Sequence, residues 1–294
     1  MICVFGASGN TGRAVAAHLL KSGKQVRVVG RQRERLIALA RAGAESCVGD
    51  VEHTGFVREA LSGAEAAYVL IPPNMVTDDF RAYQARLIDS LVGGIEAAKV
   101  RHVVLLSSIG AHHSEGTGPI VGLHDFEQRL RKVAGLNALF MRAGFFMQNA
   151  LMGLGSVKTQ GIYTGPMPAD AAVPAIAAAD IGAYAGERLE HLDFSGATVV
   201  HLIGPKTVTQ TELVAALGRA IGKPVRYVQV SMDDVEKGLN QAGLKPSMVS
   251  LYMEMYRGAG KGLVAPEAGG MVVPMPTTFE TFAEQVFGPA YKKA

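Results

Sequence analysis

The residues whose types and spacing could do chemistry begin at the sixth position. Gly6-Ala7-Ser8-Gly9-Asn10-Thr11-Gly12 follows a short apolar run, Ile2 to Phe5, and leads into a helical pattern that starts near Thr11. Glycine at the approach points lets main-chain N–H groups come up to a diphosphate with no side chain in the way. The helix behind such a loop turns the positive end of its dipole toward the same anion. Ser8, Asn10 and Thr11 add side-chain donors, so Gly6, Ser8, Gly9, Asn10, Thr11 and Gly12 are the expected cradle of a dinucleotide. The next strand-like run ends in Val28-Val29-Gly30-Arg31, and no carboxylate occurs before Glu34. A cofactor with a free ribose 2′-hydroxyl is usually held there by Asp or Glu, whereas a guanidinium suits a 2′-phosphate. Arg31, with Arg35 or Arg33 as a second charge, therefore points to NADP(H) over NAD(H). Arginines that open a helix work against its dipole, which favours a ligand role for them.

Further groups fall at the ends of later apolar runs: Asp50 and Val51 after the third, Ile71-Pro72-Pro73 after the fourth, Ser107 at the end of the fifth. In open α/β sheets ligands lie beyond the carboxyl ends of the strands, so all of these are expected on the cofactor's side. Phe145, Phe146 and Met147 follow the sixth run and are expected near the nicotinamide. Tyr252 and Tyr256, four apart on one helical face, would cover an aromatic acceptor. Met248, Met253 and Met255 read first as core; the other reading is the soft wall of an acceptor pocket. His112 and His113 are adjacent and have no third ligand at a fixed spacing, so no metal is expected.

Alternating elements must position these groups. Strand-like runs at Ile2–Phe5, Gln25–Val29, Ser46–Val48, Ala66–Ile71, His102–Leu106 and Leu139–Met141 are separated by helical patterns. Those patterns cover residues 13–22, 31–42, about 76–98 and 124–133. This alternation predicts βαβ units and a parallel sheet buried on both faces. After about Leu151 glycine and proline become frequent and the alternation lapses. Helices are expected over 181–189 and 212–220, a helical face near 246–262, and strands at 198–202 and 227–230. The expected architecture is α/β, a Rossmann-type doubly wound parallel sheet with a small, mostly helical C-terminal lobe. Residues 1–152 form the dinucleotide-binding part and 153–294 the smaller lobe, with a strand near 198–203 returning to the main sheet.

Composition bounds the class. The chain has 294 residues, 48% hydrophobic and 19% charged, enough for a large core and too apolar for disorder. Two cysteines, Cys3 and Cys47, exclude a disulfide scaffold and suit a reducing compartment. No run approaches the ~20 apolar residues that span a bilayer, and no basic segment precedes an apolar one at the N-terminus. The net charge of +3 comes with no basic stripe. A cytoplasmic protein with no nucleic-acid or membrane partner is expected, and a homodimer is compatible with the sequence.

Together, GASGNTG, the GR after the second run, GDVE, VLIPP, LLSSIGA and RAGFFMQN resemble the NmrA-like group of atypical short-chain dehydrogenases. The likeness is densest over about residues 1–155 and continues in Ala178-Ala179-Asp180-Ile181-Gly182 and Leu202-Ile203-Gly204-Pro205. Ala143 stands where that group commonly has proline. The resemblance implies NADPH-dependent reduction of quinones or azo dyes, or a redox-sensing regulator without catalysis. Ordinary short-chain dehydrogenases use a Tyr and a Lys four residues later; the stretch His124-Asp125-Phe126-Glu127-Gln128-Arg129 has neither. Ser107 falls at the group's serine position, His124 near a histidine of its quinone-reducing members and Arg129 near a lysine. His124 is thus the expected proton donor, histidine being the residue type most often used for that task. The leading expectation is an NADPH-dependent reductase of a small quinone-like or aromatic acceptor. The alternative is an NADP(H) sensor acting through a protein partner.

Overall fold

Eight short apolar segments pair in parallel to form one sheet in the computed structural model, which describes residues 1–293. The strands are β1 (Ile2–Val4), β2 (Val26–Gly30), β3 (Glu45–Val48), β4 (Ala66–Val69), β5 (His102–Ser108), β6 (Asn137–Ala143), β7 (Ala197–Ile203) and β8 (Val272–Pro274). Their order across the sheet is β8-β7-β6-β5-β4-β1-β2-β3. The chain winds outward from β1 to β3, then crosses back and winds the other way from β4. The direction reverses between β1 and β4, where open sheets of this type leave a crevice.

Near-continuous Val, Ile, Leu and Ala in the strands require cover on both faces. One face carries α1 (Asn10–Lys21) and α6 (Ala178–His191), over Val4, Val28, Tyr68, Val104, Leu139 and Val200. The two helices are clipped together where Glu190 accepts from Ser22 Oγ at 2.7 Å and lies 2.9 Å from His18 Nε2. The other face carries α3 (Thr54–Ala60), α4 (Phe80–Ala98) and α5 (Val121–Leu130), over Phe5, Val29, Val69, Leu105 and Phe140.

Several bounds differ from those read in the sequence. The stretch 31–42 is not one helix: a 3-10 turn, Arg33–Leu36, leads into the short α2 (Ile37–Arg41). That turn brings Leu36 fully into the core and leaves the arginines outside. Helix α4 starts at Phe80 instead of near Val76, because Asp79 caps it, accepting from the Ala82 N–H at 2.9 Å. The expected return of residues 198–203 is β7, beside β6. An eighth strand went unread: β8 is three residues long and ends in Pro274, as an edge strand permits.

The C-terminal part is less purely helical than its composition suggests. It holds α7 (Gln210–Ile221), α8 (Met232–Gln241) and α9 (Pro246–Gly260). It also holds two two-stranded ribbons, Ile162–Gly165 with Arg226–Gln229 and Ala172–Val173 with Val208–Thr209, and a third joins its Ala175–Ile176 to Phe145–Phe146. Its own core gathers Val208, Leu213, Leu217, Phe279, Phe282 and Phe287. No described helix is long and apolar enough to cross a membrane.

Candidate active site

Past β1 the chain turns at Gly6, whose φ of +64° a side chain would disfavour. A Cβ on Gly12 would lie 2.4 Å from the Gly6 carbonyl oxygen, so α1 starts this close to the loop only with glycine there. The helix opens on Gly9, which gives no side-chain cap. The N–H of Arg13 returns to the Gly9 carbonyl at 3.1 Å, while those of Asn10, Thr11 and Gly12 precede any intrahelical acceptor. The Arg13 guanidinium steadies the loop by donating to the Ser8 carbonyl at 3.1 Å. The result is a set of convergent main-chain donors at the positive end of a 12-residue helix.

Arg31, Arg33 and Arg35 stand exposed just beyond β2, and none is in an ion pair among the described residues. Asp50 follows β3 and tightens its turn by accepting from the Glu52 N–H at 3.0 Å. Val51 and Ile71 pack against a buried cluster of Phe80 and Tyr83 of α4 with Met248 of α9, and Tyr252 of α9 packs against the same cluster. The Tyr83 hydroxyl donates to the Pro72 carbonyl at 3.2 Å, and burial pushes its phenol up to about 12, so it remains a donor at neutral pH. The glycine loop, the arginines, Asp50-Val51 and Ile71-Pro72-Pro73 thus all follow the C-terminal ends of β1 to β4, around the reversal point.

Ser107 is the penultimate residue of β5, but its hydroxyl is directed inward. It is 3% exposed and donates to Glu127 Oε1 at 2.6 Å. Glu127, fully buried on α5, also accepts from Arg142 Nε at 3.0 Å and Nη2 at 2.7 Å. Arg142 Nη1 reaches Glu267 at 2.6 Å, and the guanidinium holds that carboxyl below the usual carboxylate range. Ser107, Arg142 and His201 lie in register on β5, β6 and β7, the last with both ring nitrogens buried and unpartnered. This network escaped the sequence reading. Its signal was Arg142, the one charged residue in the strand Asn137–Ala143, set directly after the apolar run Ala138–Met141.

His124 sits in the first turn of α5 with Nδ1 2.9 Å from the Ala111 carbonyl oxygen. A carbonyl only accepts, so Nδ1 carries the hydrogen and Nε2 is the nitrogen left to exchange a proton. Arg129 faces outward and pairs with Asp89 at 2.7 Å. Of the two phenylalanines, Phe145 is 39% exposed while Phe146 packs against the core under α1 and α6, so only the first leaves its ring accessible. Tyr252 and Tyr256 stack with ring centroids 6.4 Å apart on α9. Met248 and Met253 are core residues, 2% and 3% exposed. The rings of His112 and His113 lie with centroids 3.9 Å apart and tilted by 42°, and the described residues hold no group of three or more His, Cys, Asp or Glu placed for a metal ion.

The model of the NmrA-like family matches residues 1–271 of the chain. The chain belongs to the NmrA-like family. Among curated relatives, this NmrA-like protein is 27% identical over 256 residues to the NAD(P)H azoreductase of Xenophilus azovorans, covering 87% of this chain and 86% of that one. It is 27% identical to quinone oxidoreductase 2 of Escherichia coli strain K12, covering 97% of each chain. Among solved structures, it superposes on an Escherichia coli NADPH-dependent quinone oxidoreductase complexed with NADPH, with a TM-score of 0.82 at 23% identity over 98% of this chain and 100% of that one. The Citrobacter sp. triphenylmethane reductase complexed with NADP(H) gives the same TM-score, 0.82, at 21% identity over 97% and 99%. At these identities the structural likeness speaks for the fold.

Proposed function

We propose that this NmrA-like protein is an NADPH-dependent oxidoreductase that reduces a small quinone-like or aromatic acceptor by hydride transfer. The observation that carries this is the uncapped start of α1, behind a loop that only glycine can form, beside three exposed guanidiniums free of ion pairs. Relatives that use NADPH or NAD(P)H on quinones, azo compounds and dyes support the same reading.

The residues present fit the cofactor. Amides of Asn10, Thr11 and Gly12, with Ser8 and the glycine loop, would hold the diphosphate, and Arg31 with Arg35 the 2′-phosphate. Asp50 and Val51 would meet the adenine, and Ile71, Pro72 and Pro73 the sugar and diphosphate. Ser107 contributes through the buried network that fixes the floor of the site. Residues 1–152 hold the cofactor in this reading, and 153–294 shape the acceptor's side. When bound, NADPH supplies a hydride, and the acceptor takes up one further proton, so that a quinone becomes a hydroquinone. Phe145, with Tyr252 and Tyr256, would press the acceptor flat, and such positioning supplies most of the rate for an acceptor already easy to reduce. His124, held by Ala111, would deliver the proton from Nε2 in its doubly protonated form. A cytoplasmic location belongs to this reading, supported by the free thiols Cys3 and Cys47.

The test is NADPH consumption, followed by absorbance, against a panel of quinones and azo compounds. Acceptor-dependent consumption is expected. Tight NADPH binding with no acceptor consumed would replace the reductase with the sensing alternative, a protein that signals through a partner.

A further inference from the structure

A cavity of about 590 Å³ opens between the loop from Pro166 to Ala171 and the C-terminal half of α9, with Met232 of α8 closing one side. That volume is in the range of small-molecule sites, roughly 300 to 1,000 Å³. Its walls are largely apolar: Pro166, Met167, Met232 and the ring of Tyr256. Methionine and proline around a tyrosine face make a seat for a flat ring system. One cation lines it, Arg257, and one anion, Asp170. Neither is in an ion pair among the described residues, so the two charges are more than 4.0 Å apart. Three residues before Arg257 on the same helix face stands Glu254, whose position would normally supply an intrahelical partner. That carboxylate instead accepts from the Gly116 N–H at 2.8 Å, in the loop after β5. Arg257 is therefore left uncompensated at the mouth of an apolar cavity.

The cavity is connected to the cofactor's side by aromatic surface. Tyr256 stacks on Tyr252, and Tyr252 packs against the buried cluster of Phe80, Tyr83 and Met248 that Val51 and Ile71, beyond β3 and β4, also pack against. The cavity loop runs on through Ala172 and Val173 to Pro174, whose carbonyl accepts from the Phe145 N–H at 2.8 Å. An acceptor long enough to span this surface would place its reducible ring beside Phe145 and its far end at Arg257.

We propose that this cavity seats the distal part of the acceptor and that Arg257 selects acceptors carrying a carboxylate or sulfonate on an aromatic ring. The inference rests on the reductase reading and gives it a substrate class. The anion takes no part in the hydride and proton transfers already described; a guanidinium fork pairs with it two-pronged at the cavity mouth. Asp170, on the facing loop, opposes the same anion and sharpens the position at which it is tolerated.

The experiment compares a naphthoquinone carrying a phenyl arm with the same compound sulfonated at the far end of that arm, as acceptors for NADPH, in the wild type, Arg257→Gln, Arg257→Lys and Asp170→Asn. The quantity read is the ratio of kcat/KM for the sulfonate to that for the neutral quinone, which cancels effects common to both acceptors. Arg257→Gln is expected to lower this ratio roughly fivefold to tenfold, mainly through KM. Arg257→Lys should recover part of it, Asp170→Asn should raise it, and added salt should shrink the wild-type preference. A ratio unchanged in Arg257→Gln, while both quinones are still reduced, overturns the inference and leaves the reductase reading standing. Failure of the wild type to reduce either quinone overturns the reductase reading itself, and this inference with it.

Discussion

Arg31 and His124 divide the proposed chemistry between recognition and proton transfer, and each can be tested alone. Arg31 is exposed at the end of β2 and without an ion pair, so reversing its charge disturbs no internal contact. Arg31→Glu is expected to weaken NADPH roughly tenfold to a hundredfold, the scale of a charged hydrogen bond, with NADH affected far less. Calorimetric titration with both nucleotides checks it, and an equal loss for the two would remove the 2′-phosphate assignment. His124 is fixed through Nδ1 by a main-chain oxygen and free at Nε2. His124→Ala should lower kcat on the order of a hundredfold, the low end for a general acid, with cofactor affinity intact. An unchanged kcat would leave the imidazole a purely structural tie between α5 and the loop after β5.

At the scale of elements, the start of α1 and the floor formed by β5, β6 and α5 have different tolerances. Gly12→Ala would push a methyl group into the Gly6 carbonyl, so loss of nucleotide binding is expected, with a destabilisation of about 1 to 3 kcal/mol by chemical denaturation. Arg142→Met takes both guanidinium hydrogen bonds from the fully buried Glu127 carboxyl, which costs about 3 to 5 kcal/mol. Replacing Arg142 and Glu127 together by apolar residues should recover much of that loss; a double variant as weak as the single one would contradict this account of the pair. These elements also show what a single sequence reveals. The glycine loop, the arginines after β2 and the strand-then-helix order were legible because period and residue type act locally. β8 was not, since three residues ending in proline acquire strand geometry only by pairing with β7. The inward turn of the Ser107 hydroxyl was hidden for a related reason: Glu127 and Arg142, its partners, meet only when α5 closes on the sheet. Phe145 and Phe146 looked equivalent in sequence, yet strand alternation sends one to solvent and the other to the core.

On the scale of the whole molecule, the buried histidines tie stability to pH. Burial, reinforced by Arg142, lowers the pKa of His201, and burial with the neighbouring His113 lowers that of His112. The unfolded chain therefore binds these protons more readily, and stability should fall as pH drops below about 6.5, the ordinary imidazole value. Glu267, held ionised by Arg142, adds a second loss when the pH falls below the ordinary carboxylate range, at about 4.3. Urea midpoints measured across this range should decline in the wild type and decline less steeply in His201→Gln; identical slopes would contradict the assignment. The central claim is that one chain holds NADPH and passes its hydride to an aromatic acceptor. Rapid mixing of the preformed protein–NADPH complex with naphthoquinone, with the reduced nicotinamide followed by absorbance, tests it most directly. The expected result is loss of the bound nicotinamide signal with one hydroquinone formed per cofactor oxidised. NADPH that stays bound and reduced while the quinone persists would contradict it.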